Sequence, residues 1–200
     1  MSATATVCHD LTGLILAGGR ATRLGGRDKG LIEVGGRALI DYAIAVLRQL
    51  TPCILISANR HRADYASRGW PVLADALVDY PGPLAGILTA LEQLETERLL
   101  VMPCDAPLAS PALLDRLVAA QDSQGGSACL ARDGERLQPT FCLLKREVTP
   151  SLRRFLEAGE RKTQLWLQSL SPVIVDCSDH PDWFANVNTP EDLRRIEAML

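Results

Sequence analysis

Over roughly the first 120 residues, short apolar runs alternate with stretches of helical period, and no other feature of the chain limits its fold so strongly. Residues 14–17, 53–58, 71–74 and 98–103 read as strands bounded by turn-forming residues. Residues 31–34 read as a further extended piece, closed by the turn Gly35-Gly36. Between them the period changes. Leu39, Ala43, Val46, Leu47 and Leu50 fall at helical spacing, and so do Leu84, Ile87, Leu88, Leu91 and Leu94 behind Pro83. Residues 59–68 are polar and read as helical. Ser110 and Pro111 supply a cap and a first turn, with Leu113, Leu114, Leu117 and Val118 facing inward. This alternation predicts an α/β fold, a mostly parallel sheet covered by helices on both faces. Ligands in such folds bind beyond the C-terminal ends of the strands. Polar residues far apart in sequence can therefore converge there.

The second half alternates less regularly. Residues 127–131 and 140–145 are expected as an extended pair, 147–157 and 163–169 as helices, and 173–176 as a late strand. Thr189-Pro190-Glu191-Asp192 is a strong helix start: a cap, a proline, then acids at the positive helix end. No repeat or interdomain linker interrupts the chain, so residues 1–200 are expected to form a single domain, with residues 1–11 a flexible N-terminus. The net charge of −3 gives no support to general nucleic-acid or membrane binding, so any basic site must be local. The six cysteines form no C-x-x-C pair, and most lie in apolar runs such as PCILIS and FCLLK. That pattern suits reduced, buried thiols and a cytoplasmic protein. No signal peptide or membrane span is expected.

The loop after the first apolar run concentrates glycine and cationic residues: Gly18, Gly19, Gly25, Gly26 and Gly30 with Arg20, Arg23, Arg27 and Lys29. Glycine lets backbone N–H groups approach a ligand, and successive N–H groups form an anion-binding concavity. Arginine grips phosphate with two parallel bonds; lysine supplies a point charge. The composition suits a polyphosphate, against the plainer reading of a solvated loop. Neither G-x-x-x-x-G-K-[ST] nor G-x-G-x-x-G is present.

Asp105, just past the strand in LLVMPCDAP, either holds Mg²⁺ together with substrate phosphates or caps a turn. Asp75 follows PVLA and reads as a base, ribose or metal contact, or as a turn residue. Asn59 reads as a contact or a helix cap. Asn186 and Asn188, in NVNTP, either grip a polar substrate or cap the last helix. His9, His61 and His180 are scattered, without metal-ligand spacing or a nucleophile beside them.

The stretch LAGGRATRLGGRDKG resembles the L-A-G-G-x-x-x-R-M-G-G-x-D-K-G signature of the molybdenum cofactor guanylyltransferases, the MobA family, with Leu24 in place of methionine. SANRH, DYPGPLAG, PCDAP and NVNTPEDL follow in family order, so the resemblance runs over residues 12–198. It implies a three-layer, Rossmann-like α/β nucleotidyltransferase domain. It also implies transfer of GMP from GTP to the terminal phosphate of molybdenum-molybdopterin, with Mg²⁺ as cofactor and release of pyrophosphate. Molybdenum-insertion proteins and molybdoenzyme chaperones are the implied protein partners. By resemblance, Leu16, Ala17, Gly18 and Gly19 match the backbone stretch at the guanine nucleotide. Lys29 matches the phosphate lysine, Arg23 the arginine near the phosphates, Asp75 a nucleotide-binding aspartate and Asp105 the metal ligand. Ser57 and Asn59 lie where the family commonly has N-A-N, and Ser57 is shorter, with one donor rather than two. The pair Gly18-Gly19 favours GTP, because the sister cytidylyltransferases carry an alanine in the doublet. The alternatives are a CTP-dependent molybdopterin cytidylyltransferase, a sugar-phosphate nucleotidyltransferase and a GTP-sensing module without catalysis.

Overall fold

The computed structural model describes residues 10–17, 20–21, 27–75 and 82–200. Strand β1 (Leu11–Leu16) is followed by the two-residue strands β2 (Arg20–Ala21) and β3 (Arg27–Asp28), which pair antiparallel. A 3-10 turn at Lys29–Leu31 leads to the hairpin β4 (Glu33–Val34) and β5 (Arg37–Ala38). Then come α1 (Leu39–Leu47), β6 (Cys53–Ser57), α2 (Arg62–Ala66), β7 (Val72–Leu73), α3 (Pro83–Glu92), β8 (Arg98–Pro103) and α4 (Pro111–Gln124). The chain continues through β9 (Ala128–Arg132), β10 (Leu137–Lys145), α5 (Thr149–Glu157), α6 (Thr163–Ser169), β11 (Val173–Asp176) and α7 (Pro190–Glu197).

Seven strands form the central sheet, in the order β11-β9-β10-β8-β1-β6-β7. β1 pairs parallel with both β6 and β8, β6 with β7, and β9 with β11, while β10 is antiparallel to β8 and β9. The fold is thus α/β with a mostly parallel sheet, as the alternation of elements predicts. Successive side chains of a strand point to opposite faces, and β1 shows this directly. Leu11 and Ile15 join one core with Ala43, Val46 and Leu47 of α1 and Leu113, Leu114 and Leu117 of α4. Leu14 joins the other, with Leu84, Ile87, Leu88 and Leu91 of α3, Leu152 of α5 and Trp166 of α6. Helices therefore cover both faces, giving three layers. Each of these leucines, fully withdrawn from water, contributes roughly 1.5–3 kcal/mol. A third, smaller cluster packs Ile196 of α7 and Val187 onto Ile32, Val34 and Leu39, which brings the C-terminal segment back to the start of the chain.

Several boundaries differ from expectation, each for a physical reason. β1 begins at Leu11, not residue 14, and Leu11 is wholly buried, so it belongs to the sheet rather than to an N-terminal tail. Thr12 and Gly13 hid this. Thr12 is a buried polar residue whose hydroxyl meets that of Thr96, 2.9 Å away. Gly13 sits where a Cβ would come within 2.9 Å of Leu47, so it permits close approach of α1. Leu31 lies in the 3-10 turn rather than in a strand. α2 is short because His61 at its start is left-handed (φ 49°) and Gly69 beyond its end is too (φ 83°). β10 extends back to Leu137, across Pro139, through a register shift between Gln138 and Cys142. A strand accommodates proline at such an irregularity. Of the described cysteines, Cys104, Cys129, Cys142 and Cys177 are buried and unpaired, whereas Cys53 is exposed.

Candidate active site

The parallel half of the sheet ends in one rim. The residues just past its strands are Leu16-Ala17 after β1, Ser57 to Asn59 at the end of β6, Asp75 after β7 and Cys104-Asp105 after β8. Backbone bonds carry the pairing into this rim: Ala17 N donates to Ser57 O (2.9 Å), Ala58 N to Leu73 O (2.9 Å) and Cys104 N to Leu16 O (3.1 Å).

Asp105 organises the first of two polar groups. Its carboxylate accepts from the Lys29 ammonium, and Lys29 also donates to Asn188 Oδ1 at 2.7 Å. The Lys29 and Asp105 side chains are only 14% and 13% exposed. Val187 N donates to the Asp105 carbonyl at 2.9 Å, so the Asn186–Asn188 stretch is docked on the same loop. The D-K-G, P-C-D-A-P and N-V-N-T-P stretches thus meet at one ammonium. Neither asparagine caps the last helix. Thr189 does, in a reciprocal capping box with Asp192, whose carboxylate also accepts from Asn188 N at 3.1 Å. The box fixes the backbone from which Asn188 reaches Lys29. Asn186 Oδ1 is buried without a hydrogen-bond partner. Burial, then the Asp105 charge, push the neighbouring Cys104 thiol well above its ordinary range, so it is not a poised nucleophile.

Ser57, Asn59 and Asp75 form the second group. Asn59 Nδ2 donates to Asp75 Oδ2 (2.7 Å) and Asn59 Oδ1 accepts from Asp75 N (2.8 Å), a reciprocal pair that sets the carboxylate's orientation. Asn59 therefore caps no helix. Ser57 Oγ donates to Asp75 Oδ1 at 3.4 Å. Gly86, in the second turn of α3, is required by close approach: a Cβ there would lie 2.3 Å from Ser57 Oγ and 3.3 Å from Asp75 Oδ1. That explains one glycine of D-Y-P-G-P-L-A-G without recourse to a ligand.

Asp28 and Tyr65 stand beside these groups and were not singled out by sequence reasoning. Tyr65 of α2, wholly buried, donates its hydroxyl to Asp28 Oδ1, and the same oxygen is 3.4 Å from the Ala17 carbonyl. Arg60 Nη2 is 3.8 Å from Asp28 Oδ2. Burial, then the bond to Asp28, raise the Tyr65 phenol far above its ordinary value, so it remains a donor. The only sequence signal was polar residues in a short helix, which says nothing of a tyrosine turned inward. Gly18, Gly19 and Arg23 lie outside the described residues, as does His9. His61 and His180 pair with Asp64 and Asp179 on the surface. Among the described residues no group of three or more His, Cys, Asp and Glu could hold a metal.

A mostly parallel sheet covered by helices on both faces, with a lysine, two carboxylates and amide oxygens at its C-terminal rim, is an α/β domain of the nucleotidyltransferase fold. The comparisons name the family: residues 13–173 match the MobA-like NTP transferase domain, and the chain belongs to that family. Proteins of Shewanella loihica and Shewanella woodyi, both named molybdenum cofactor guanylyltransferase, are 44% and 42% identical to it over 183 residues, covering 92% of this chain and 93% of theirs. Among solved structures, the molybdopterin-guanine dinucleotide biosynthesis protein A of Archaeoglobus fulgidus superposes with a TM-score of 0.80 at 23% identity, over 94% of this chain and 97% of that one. A 4-diphosphocytidyl-2C-methyl-D-erythritol synthase from Anaerococcus prevotii gives 0.73 at 12% identity, over 96% of each chain. At these identities the likeness is one of fold.

Proposed function

We propose that this protein transfers GMP from GTP to the terminal phosphate of molybdenum-molybdopterin, releasing pyrophosphate. The observation that carries the reading is the meeting of Lys29, Asp105 and Asn188 at the rim beside Ala17. An ammonium, a carboxylate and an amide oxygen there suit a substrate whose negative charge must be neutralised. The relatives named for guanylyl transfer support GTP as the donor and molybdopterin as the acceptor.

In this reading a terminal phosphate oxygen of the acceptor attacks the α-phosphorus of GTP. The new O–P bond forms as the bond to the β-phosphate bridging oxygen breaks, and that electron pair leaves with pyrophosphate. The attacker is anionic at neutral pH, so no strong base is needed, in keeping with the absence of a histidine from both described polar groups. Lys29, released from Asp105, carries its charge onto the phosphates, the role the family resemblance also gives to Arg23. Ala17, with Leu16, Gly18 and Gly19, offers backbone to the base. Asp75, braced by Asn59 and Ser57, accepts from the nucleoside.

Mg²⁺ fits the donor set: the Asp105 and Asn188 oxygens converge on a single cation, the Lys29 ammonium. Mg²⁺ takes oxygen ligands and is commonly held by one or two carboxylates plus substrate phosphates. Bound at Asp105 it would neutralise phosphate charge and act as a Lewis acid. One protein carboxylate leaves most positions to phosphate and water, so the ion is expected to arrive with the nucleotide. The buried, unpaired thiols support a reducing compartment, the cytoplasm.

The test is a nucleotide panel with molybdenum-loaded molybdopterin, reading pyrophosphate and product mass. GTP should give the guanine dinucleotide faster than CTP gives its counterpart. A higher rate with CTP would reverse the donor, and GTP binding without pyrophosphate from any acceptor would leave only a sensing module.

A further inference from the structure

We propose that Tyr65 is a positioning residue for the phosphate lysine and acts through Asp28; this rests on the nucleotide reading of Lys29. The starting point is an apparent contradiction. Asp28 puts a carboxylate next to Lys29, in the segment that should welcome phosphate. The structure removes it from the site: the Asp28 side chain is 2% exposed. A buried carboxylate needs donors. Its donor is the hydroxyl of Tyr65, with the Arg60 guanidinium 3.8 Å from its other oxygen.

Asp28 has extended backbone (φ −70°, ψ 126°). With Asp28 anchored inward on Tyr65, the chain turns at once into the 3-10 segment that Lys29 opens, and its ammonium reaches Asp105 and Asn188. The fit is close on the next residue as well. Gly30 has no left-handed backbone angle, yet a Cβ there would lie 2.5 Å from Tyr65 Oη and 3.0 Å from its ring. Tyr65 also touches the Ala17 carbonyl, so one buried hydroxyl faces the chain both before and after the glycine-rich loop. Asp28, Lys29 and Gly30 thus read as one unit. Aspartate is the inward anchor, lysine the group that reaches Asp105 and Asn188, and glycine the space the anchoring ring needs.

The test uses the full-length protein and competitive acetylation of its three lysines, Lys29, Lys145 and Lys162, followed by mass spectrometry at one pH without nucleotide. Tyr65→Phe keeps the ring and removes only the hydroxyl. It should raise labelling of Lys29 about threefold or more relative to Lys145 and Lys162, since a side chain no longer held at 14% exposure is freer to react. Asp28→Ala should do the same, and the double variant should match either single, because residues acting as one unit are non-additive. Asp28→Asn keeps an oxygen for the tyrosine and should label like the natural protein. Unchanged labelling in Tyr65→Phe, or additive effects in the double variant, would overturn the proposal. Adding Mg-GTP to the natural protein separates the two claims. If GTP fails to protect Lys29 while Tyr65→Phe still exposes it, the nucleotide reading fails and the positioning role stands.

Discussion

Lys29–Asp105 and Arg116–Asp179 are both ion pairs between distant parts of the chain, but their surroundings differ. Arg116 in α4 donates to both Asp179 oxygens, at 2.7 and 2.6 Å, and its guanidinium lies 5.0 Å over the Trp183 ring. His180 stacks on Trp183 as well, with ring centroids 4.2 Å apart. The pair is largely exposed, at 35% and 55%, and bidentate: each carboxylate oxygen has its own guanidinium donor, with His180 Nε2 a further 3.6 Å from Oδ2. Lys29 is enclosed, yet its one ammonium is shared by two oxygens from separate segments, at the rim where four parallel strands end. The bidentate surface pair fastens α4 to the chain that follows β11. The shared one neutralises charge in a way that a ligand with more charge can re-partition. Geometry separates the two roles better than the mere presence of an ion pair.

Breaking the shared pair should have the largest consequences. Asp105→Ala should lower pyrophosphate release by about 10³-fold or more, since in the proposed mechanism it removes the carboxylate that would hold Mg²⁺; a normal rate would dismiss that role. Lys29→Ala should slow turnover more than tenfold, about 1.4 kcal/mol or more of barrier, and an unchanged rate would count against its phosphate contact. Gly30→Ala tests the support beneath the pair. Its new methyl meets the buried Tyr65 hydroxyl, so the denaturation midpoint should fall by the equivalent of roughly 1–3 kcal/mol. A midpoint at the natural value would mean that the ring moves aside freely.

Arg116→Ala should have the smallest effect and leave turnover intact. Its signature lies in acid. The two bonds from Arg116 hold the Asp179 carboxylate down at about 2, against 3.8 ordinarily. A carboxylate depressed in the folded state adds stability above its unfolded value, and that stability disappears as pH falls through the folded one. The natural protein should therefore lose this contribution between about pH 4 and pH 2, and Arg116→Ala should lack that part of the acid profile. Identical acid curves would show that the pair does not contribute to stability.

Two strands keep the bounds their apolar runs suggest: β8, buried from Leu99 to Pro103, and β11, an edge strand whose exposure alternates and leaves Ile174 41% exposed. β1 and β10 were misjudged at the residues that tertiary packing accommodates: Thr12 and Gly13 in one, Pro139 in the other. Residue types past strand ends were enough to name Lys29, Asp105, Asp75 and Asn59 as candidates. Their pairing was not legible. That Asn59 braces Asp75, that Asn188 reaches Lys29, and that Tyr65 holds Asp28 depends on contacts 16, 159 and 37 residues apart. No local period records such distances. Gly30 and Gly86 each make room for a protein side chain, which no local pattern signals.

In the proposed mechanism Asp105 and the nucleotide would share a divalent ion once Lys29 lets go. Calorimetric titration of GTP, with and without Mg²⁺, into the natural protein and Asp105→Ala tests it most directly. Mg²⁺ should tighten GTP binding at least about tenfold in the natural protein, some 1.4 kcal/mol, and have little effect in the variant. Equal dependence on Mg²⁺ in both would contradict the account.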